Sequence, residues 1–315
     1  MREQQPVGRI SAQIDTLHLE RFHDGTGFWG MLEAEDNPET FQALLHTAET
    51  WVRQQGMNRL RGPFNFSINE ECGLLVEGFN SPPMIMTGHA PSYYATHVEA
   101  LGYRGIMDTL AYRIDAGFEP PPFMQRVMDR METSVRVRPL RRSHFKQDVA
   151  VLRDIFNDAW SDNWGFLPFT KAEFNQMAQV LKWFVDEEFV QIAEVNGTPA
   201  AMIVAFPNIN EVIRDFNGRL LPFGWLKLLW GLKITHPKTV RIPLMGVRKK
   251  FQQTPQGIAL AYLVINALRA PGAKRGVETV ELSWILETNM GMRNILQSLG
   301  ASPYKRYRIY EKELA

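Results

Sequence analysis

The 315-residue chain is 45% apolar and 22% charged, a globular composition that excludes wholesale disorder. Its 35 Lys and Arg balance 34 Asp and Glu, so a formal charge of +1 gives no global pull toward nucleic acid or an anionic membrane. The single cysteine, Cys72, excludes an intrachain disulfide and a Cys-cluster metal site, so no metal is expected. The opening Met-Arg-Glu-Gln-Gln-Pro has no apolar signal core and no apolar run reaches the roughly 18 residues of a membrane span, so the expectation is a cytoplasmic protein.

In chain order, residues 7–15 read as the first extended segment and 27–34 as a strand. Asn37-Pro38 then opens a helix with a capping side chain and a proline at its first position. Its apolar stripe is Phe41, Leu44, Leu45, Ala48, Trp51 and Val52, and Gly56 ends it. Residues 59–66 read as extended, 93–101 as a helix stopped by Gly102, and Tyr112-Arg113-Ile114 as a closing strand. His18, His23, Glu20 and Asp24 fit no helical metal face and are expected at the surface, and Cys72 as a small buried residue.

Asp115-Ala-Gly-Phe-Glu-Pro-Pro-Pro122 suits neither a helix nor a central strand, because three prolines remove donors and fix φ. The expected division is therefore a domain over residues 1–116, a linker over 117–134 and a domain over 135–315.

The second part starts with a strand at 135–140. Helices striped by Phe145, Val149, Leu152, Ile155, Phe156 and Trp160, and by Phe174, Met177, Leu181 and Phe184, follow. Residues 190–194 and 200–206 form a hairpin around Asn196-Gly197, which supplies the positive-φ turn. Residues 240–247 form a β-branched strand, 257–268 a helix, 278–286 a strand, 290–299 a helix stopped by Gly300, and 307–309 a last strand. The final five elements repeat the order of the first part, with Leu-Gly and Tyr-Arg-Ile recurring in place. The first copy thus lacks an opening strand and two helices. Either its natural start lies upstream or another chain covers its exposed sheet edge.

This order of elements resembles the GCN5-related N-acetyltransferase (GNAT) superfamily. The most specific part is Glu281-Leu-Ser-Trp-Ile-Leu-Glu-Thr-Asn289 with the helix, Gly300 and Tyr304–Lys312 that follow. Gly62-Pro-Phe-Asn-Phe-Ser-Ile-Asn69, Cys72-Gly-Leu-Leu, Gly78-Phe and Pro82-Pro83 resemble a bacterial group with two such domains in tandem. The implied fold is α/β: two tandem GNAT-like domains, each a mixed, mostly antiparallel sheet flanked by helices, the first truncated at its N-terminus. The implied cosubstrate is acetyl-CoA or another acyl-CoA, held between the fourth and fifth strands.

Such a ligand needs converging main-chain donors, which a helix N-terminus and the loop before it supply, and a glycine that permits close approach. Residues 248–259 stand in that place. By resemblance Gln253, Thr254, Gln256, Gly257, Ile258 and Ala259 hold the cofactor. Thr254 departs from the superfamily's preferred Arg or Gln. Arg248, Lys249 and Lys250 either meet phosphates or form a solvated turn. Met245, Gly246 and Val247 are the strand expected to pair with the pantetheine amides, a main-chain N–H polarising the thioester carbonyl. Asn289 is either a helix cap or a contact to the cofactor arm. Glu281 and Glu287 are candidate bases or else exposed or ion-paired strand residues. Tyr304, like Tyr307, is a candidate acid for the leaving thiolate or a packing residue. In the first copy, Glu33-Ala-Glu-Asp-Asn37 would repel a diphosphate, so that copy is not expected to bind coenzyme A.

Leu220–Ile234 is an apolar segment striped by Trp225, Leu228, Leu229 and Leu232, with Lys227 and Lys233 outside the stripe. It is read as a lid, a docking face for the first domain, or a membrane-surface contact. The reading is an N-acetyltransferase acting on a small-molecule amine by direct attack, without nucleic acid or a membrane span, with a homodimer among the expectations. The alternatives are a non-catalytic scaffold of this fold and an aminoacyl-tRNA-dependent transferase.

Overall fold

The structure is a computed structural model that describes residues 5–131 and 134–314. The chain forms two compact units. The first takes residues up to Leu110 with Leu286–Thr288 and the chain from Tyr304 onward, and the second takes Ala111–Ile285 with Asn289–Pro303.

The first unit runs β1 (Gly8–Gln13), α1 (Thr16–Phe22), β2 (Thr26–Ala34), α2 (Pro38–Gln54), β3 (Arg59–Gly62), β4 (Phe64–Asn65), β5 (Glu71–Cys72), β6 (Leu74–Glu77), α3 (Tyr93–Ala100) and the start of β7 (Arg104–Asp115), which belongs to the second unit from Ala111. Strand β1 is antiparallel to β2, and β2 is parallel to β3 over Thr26–Phe28 and Arg59–Arg61. The C-terminal strand Ser302–Glu313, which the repeat pattern gives to the second copy, pairs here: Tyr310 lies opposite Gly62 and Tyr307 opposite Leu75. The Asn37 side chain accepts the N–H groups of Glu39 and Thr40 and starts α2. Phe41, Leu45, Ala48 and Val52 face a core shared with Trp29, Leu60, Val98 and Tyr310, whereas Trp51 at the edge of the expected stripe is exposed. His18 corrects the surface expectation. It is buried against Phe22 and Phe28 and its Nε2 lies 3.1 Å from the Asp24 carboxylate. Burial lowers its pKa in spite of that carboxylate. Cys72 is free and buried.

The second unit continues with α4 (Pro122–Met131), β8 (Val135–Pro139), α5 (Phe145–Ala159), α6 (Lys171–Leu181), β9 (Val190–Val195), β10 (Thr198–Pro207), α7 (Ile209–Ile213), α8 (Gly224–Trp230), β11 (Thr239–Val247), α9 (Pro255–Ala267), α10 (Arg269–Lys274), β12 (Thr279–Leu286) and α11 (Met290–Ser298). Residues 122–131, inside the expected linker, are thus helical. Pro122 opens α4, Met124 and Met128 are buried, and Phe123 meets the Tyr262 ring of α9 edge-on. The sheet order is β8-β9-β10-β11-β12, antiparallel except for the parallel β11–β12 pair. Asn196 and Gly197 both have positive φ, the geometry a two-residue hairpin turn requires.

The two faces of this sheet differ. Val204, Phe206 and Leu244 face α5 and α6, while Ala205, Val240, Ile242, Val280 and Leu282 face Ile265 of α9. Helix α5 is fixed to the sheet edge by Asp148, a buried carboxylate that accepts from the Arg138 and Arg141 guanidiniums and the Arg141 N–H. Burial opposes its ionisation, but those donors win and hold its pKa at about 2. Helix α6 starts with a reciprocal box in which Thr170 caps the Glu173 N–H and Glu173 caps the Thr170 N–H.

Candidate active site

Strands β11 and β12 pair only over Thr239–Ile242 and Thr279–Leu282, although β11 runs on to Val247 and β12 to Leu286. The next residue of β11 is Pro243, which has no N–H to give a ladder. On the other side the register with β10 slips there as well, Phe206 facing Arg241 but Val204 facing Leu244. A proline inside a bulge therefore ends the pairing and turns residues 244–247 away from β12. The backbone beyond this point is held from the α5 side. The Trp160 indole N–H donates to the Met245 carbonyl at 2.9 Å, and its ring meets that of Trp284 of β12 at 6.1 Å. Gly246 is where α5 comes closest: an added Cβ would lie 3.1 Å from the Ala159 methyl.

The loop after β11 folds back on itself. The Gln252 side-chain amide donates to the Val247 and Ala159 carbonyls, and the Lys249 N–H donates to Asp158. Thr254 caps α9 by accepting the Gly257 N–H at 3.1 Å, and Pro255 takes the first helical position. A Cβ on Gly257 would stand 2.0 Å from the Phe251 carbonyl oxygen, so only glycine closes this turn. Ala259 is buried beneath it, and Ile258 is exposed. The Gln256 N–H, at the second helical position, has no carbonyl behind it to bond. Gln253 holds a left-handed φ of 59° in the same turn. Of the two main-chain donors at this helix start, the Gly257 N–H is thus taken by the Thr254 hydroxyl.

Glu281 stands beside Arg241 in the parallel register and is fully buried, its Oε1 3.6 Å from the guanidinium Nε. The Ser283 hydroxyl accepts from Arg241 Nε at 2.8 Å and donates to Glu281. By the alternation of the strands these three side chains point away from α9, toward the face carrying α5 and α6. Phe206, opposite Arg241, lines a cavity of about 360 Å³ on that face. Val149 and Leu152 of α5, Phe174 and Leu181 of α6 and Leu244 of β11 are part of its apolar wall. Its rim is polar, with Arg142, Lys182, Asp186 and Glu187.

The structure brings Met245, Gly246, Val247, Gln253, Thr254, Gln256, Gly257, Ile258 and Ala259 into one strand–loop–helix corner of the second unit, with Glu281 on the strand parallel to it. Asn289 caps α11 by accepting the Met292 N–H. Glu287 and Tyr304 belong to the first unit. There Glu287 exchanges hydrogen bonds with Asp108, its carboxylate taking the Asp108 N–H and its own N–H reaching the Asp108 carbonyl. Tyr304 is half-buried by the loop at Gly78, where the buried Lys305 ammonium donates to the Ser81 and Pro82 carbonyls. Arg248 and Lys249 are neutralised by Asp154 and Asp162. Sequence reasoning missed Pro243, Trp160 and the Arg241–Ser283 pair. Pro243 was legible as a proline inside a strand, while Trp160 reads as one more stripe residue until its indole N–H has a partner.

No family model matches the chain. It is 49% identical over 313 residues to Protein YghO of Escherichia coli (strain K12), spanning 98% of this chain and 80% of that one. It is 46% identical over 310 residues to the bacterial ceramide synthase of Caulobacter vibrioides (strain NA1000 / CB15N), spanning 98% and 81%. Among solved structures, a tandem GNAT protein from the clavulanic acid biosynthesis pathway matches with a TM-score of 0.56 and 13% identity, covering 99% of this chain and 81% of the other, which speaks to the fold alone. At 49% and 46% identity over nearly its whole length, the chain belongs to the family of YghO and the bacterial ceramide synthase, and its fold is that of the GCN5-related N-acetyltransferases.

Proposed function

We propose that this protein is an acyltransferase that moves a long-chain acyl group from an acyl-CoA thioester to the primary amine of a long-chain amino alcohol. The observation that carries the reading is the parting of β11 from β12 at Pro243, which leaves residues 244–247 as a backbone edge free of that partner. The choice of a long-chain substrate rests on the 360 Å³ apolar cavity touching Leu244 and on the kinship with a protein named for ceramide synthesis.

The bound thioester supplies an activated acyl carbonyl. The chain's own contribution starts with residues 244–247, whose main-chain groups run beside an extended amide-bearing arm as a neighbouring strand would and present an N–H to the carbonyl oxygen. The Gly257 turn lets a diphosphate approach the Gln256 N–H. The apolar cavity takes an aliphatic tail and excludes water, leaving the amine at the polar face of β12. There Ser283 accepts the nitrogen's proton as its own passes to Glu281, while the C–N bond forms and the C–S bond breaks with the electron pair leaving on sulfur. A retained fold that binds without turnover is the second reading, favoured by the Thr254 hydroxyl sitting on the Gly257 N–H.

The test is calorimetry with decanoyl-CoA and acetyl-CoA, followed by mass spectrometry of products from a long-chain amino diol. Expected are saturable binding, an N-acylated product with equimolar free thiol, and about tenfold or greater preference for the longer acyl chain. Binding without product over a broad amine panel supports the second reading, and a folded protein that binds neither thioester overturns both.

A further inference from the structure

We infer that α8 and the turns around it form a docking face for an anionic membrane surface. Leu221, Phe223 and Trp230 are 77%, 67% and 61% exposed, and Trp225 and Ile234 join them on the same segment, a concentration of large apolar side chains of the kind that marks an interaction site. Leu232 and Gly231 turn inward, and Gly231 sits against Val212 so closely that a Cβ would clash, so the segment is pinned to the unit while its apolar side chains remain outside. The inward side is therefore already used, and the outward side carries leucine, phenylalanine and tryptophan.

The charge around this patch selects the partner. Between residues 209 and 238 five cations, Arg214, Arg219, Lys227, Lys233 and Lys238, stand against Glu211 and Asp215; Arg214 pairs with Asp215, Lys233 with Asp186 and Lys238 with Glu278, and among the described residues Arg219 and Lys227 have no carboxylate within ion-pair distance. Glu211 is moreover engaged with the N–H groups of Lys238 and Thr239. A patch of tryptophan, phenylalanine and leucine among cations, in a chain whose formal charge is only +1, is the pattern of a helix lying in a headgroup layer. A second copy is disfavoured as occupant, because a two-fold contact would bring two faces of the same positive charge together.

The patch adjoins the apolar cavity. Lys233 lies 2.7 Å from Asp186 on the cavity rim, and on the same rim Trp183 is 65% exposed. A bilayer resting on α8 would place acyl chains at that rim, so the inference deepens the acyl-transfer reading while standing on separate observations.

The experiment is flotation of the full chain with vesicles of phosphatidylethanolamine and phosphatidylglycerol, and with vesicles of phosphatidylcholine alone. The chain is expected to float with the anionic vesicles. The variant Leu221→Ser/Phe223→Ser/Trp230→Ser should lose about tenfold or more in partitioning at an unchanged melting temperature, since all three side chains are exposed. Arg219→Glu/Lys227→Glu, which keeps the apolar face, should lose the preference for phosphatidylglycerol and answers the question should the serine variant fold poorly. Absence of flotation, flotation indifferent to both variants, or a wild-type dimer that the serine variant converts to monomer without vesicle binding would each overturn the proposal. Flotation needs no turnover, so a failure of the acyl-transfer reading leaves this result standing.

Discussion

Each unit holds a parallel strand pair with a proline-started, capped helix in the connection between its strands, and the two units treat the wedge beyond that pair differently. In the first, β2 and β3 pair over Thr26–Phe28, and the chain then turns at Pro63 and fills the space itself. The Phe64 carbonyl packs so closely on Gly30 that a Cβ there would lie 1.8 Å away, Asn65 accepts the Met31 N–H at 2.7 Å, and Gln13 donates to the Phe64 and Phe66 carbonyls. Two N–H groups at the start of α2 are covered by Asn37. In the second unit, β11 and β12 pair over four residues, Pro243 interrupts, and beyond it the Trp160 indole bonds the Met245 carbonyl. One scaffold thus serves two ends. On the proposed reading, the unit that satisfies its own backbone is structural, and the β11 edge that has lost its β12 partner serves the cosubstrate.

The largest expected effect tests the closed base of the second wedge. Glu281→Ala leaves the Arg241 charge buried and should cost about 3–5 kcal/mol of stability in urea unfolding. Its counterpart in the first unit is Arg61, whose guanidinium bonds Glu311 at 2.6 Å and also lies 3.7 Å from Asp24. With a second carboxylate at hand, Glu311→Ala should cost less, about 1–3 kcal/mol. Equal losses would show that the two bases are not built differently. Glu281→Gln should fold and yet lose about 10²–10⁴ in single-turnover acyl transfer, as removal of a proton acceptor demands. Full activity in that variant would remove Glu281 from the chemistry.

The next pair compares the glycines at which each wedge is closed or kept open. Gly30→Ala drives a methyl into the Phe64 carbonyl and Gly257→Ala into that of Phe251. Each should lower stability by about 1–3 kcal/mol. Only Gly257→Ala should weaken acyl-CoA binding, by about tenfold or more in calorimetry, because only that turn faces the opened pair. Loss of binding in Gly30→Ala would mean that the filled wedge also serves the cosubstrate.

Much of this contrast was legible in the sequence. Hydrophobic period and capping residues located α2, α5, α6, α9 and the Asn196-Gly197 hairpin, because those signals are local and each residue's partner lies within a turn or two. The loop at 248–257 and its glycine were likewise visible, since a turn that excludes a Cβ needs glycine wherever it occurs. What stayed hidden depends on partners far away in the chain. The C-terminal strand pairs with β3, roughly the whole chain away, and nothing in Tyr307-Arg308-Ile309 names that neighbour. The proline cluster before α4 looked like a linker because prolines that open a helix and prolines that forbid one are the same residue. Arg248 and Lys249 looked available until Asp154 and Asp162 came alongside from the α5 region.

The smallest expected effect concerns Thr254, where the two helix starts differ in how many N–H groups the capping side chain covers. Asn37 covers two N–H groups of α2, whereas Thr254 covers one of α9. Thr254→Ala removes a cap worth about 1 kcal/mol, and the melting temperature should fall accordingly. The Gly257 N–H is released at the helix start, so acyl-CoA affinity should hold or rise by a few-fold, since a charge-assisted bond to a phosphate oxygen replaces a neutral one. Calorimetry on the variant reads both signs at once. A fall in affinity together with stability would make the Thr254 hydroxyl itself a ligand group, and its departure from the superfamily pattern a substitution of one phosphate contact for another.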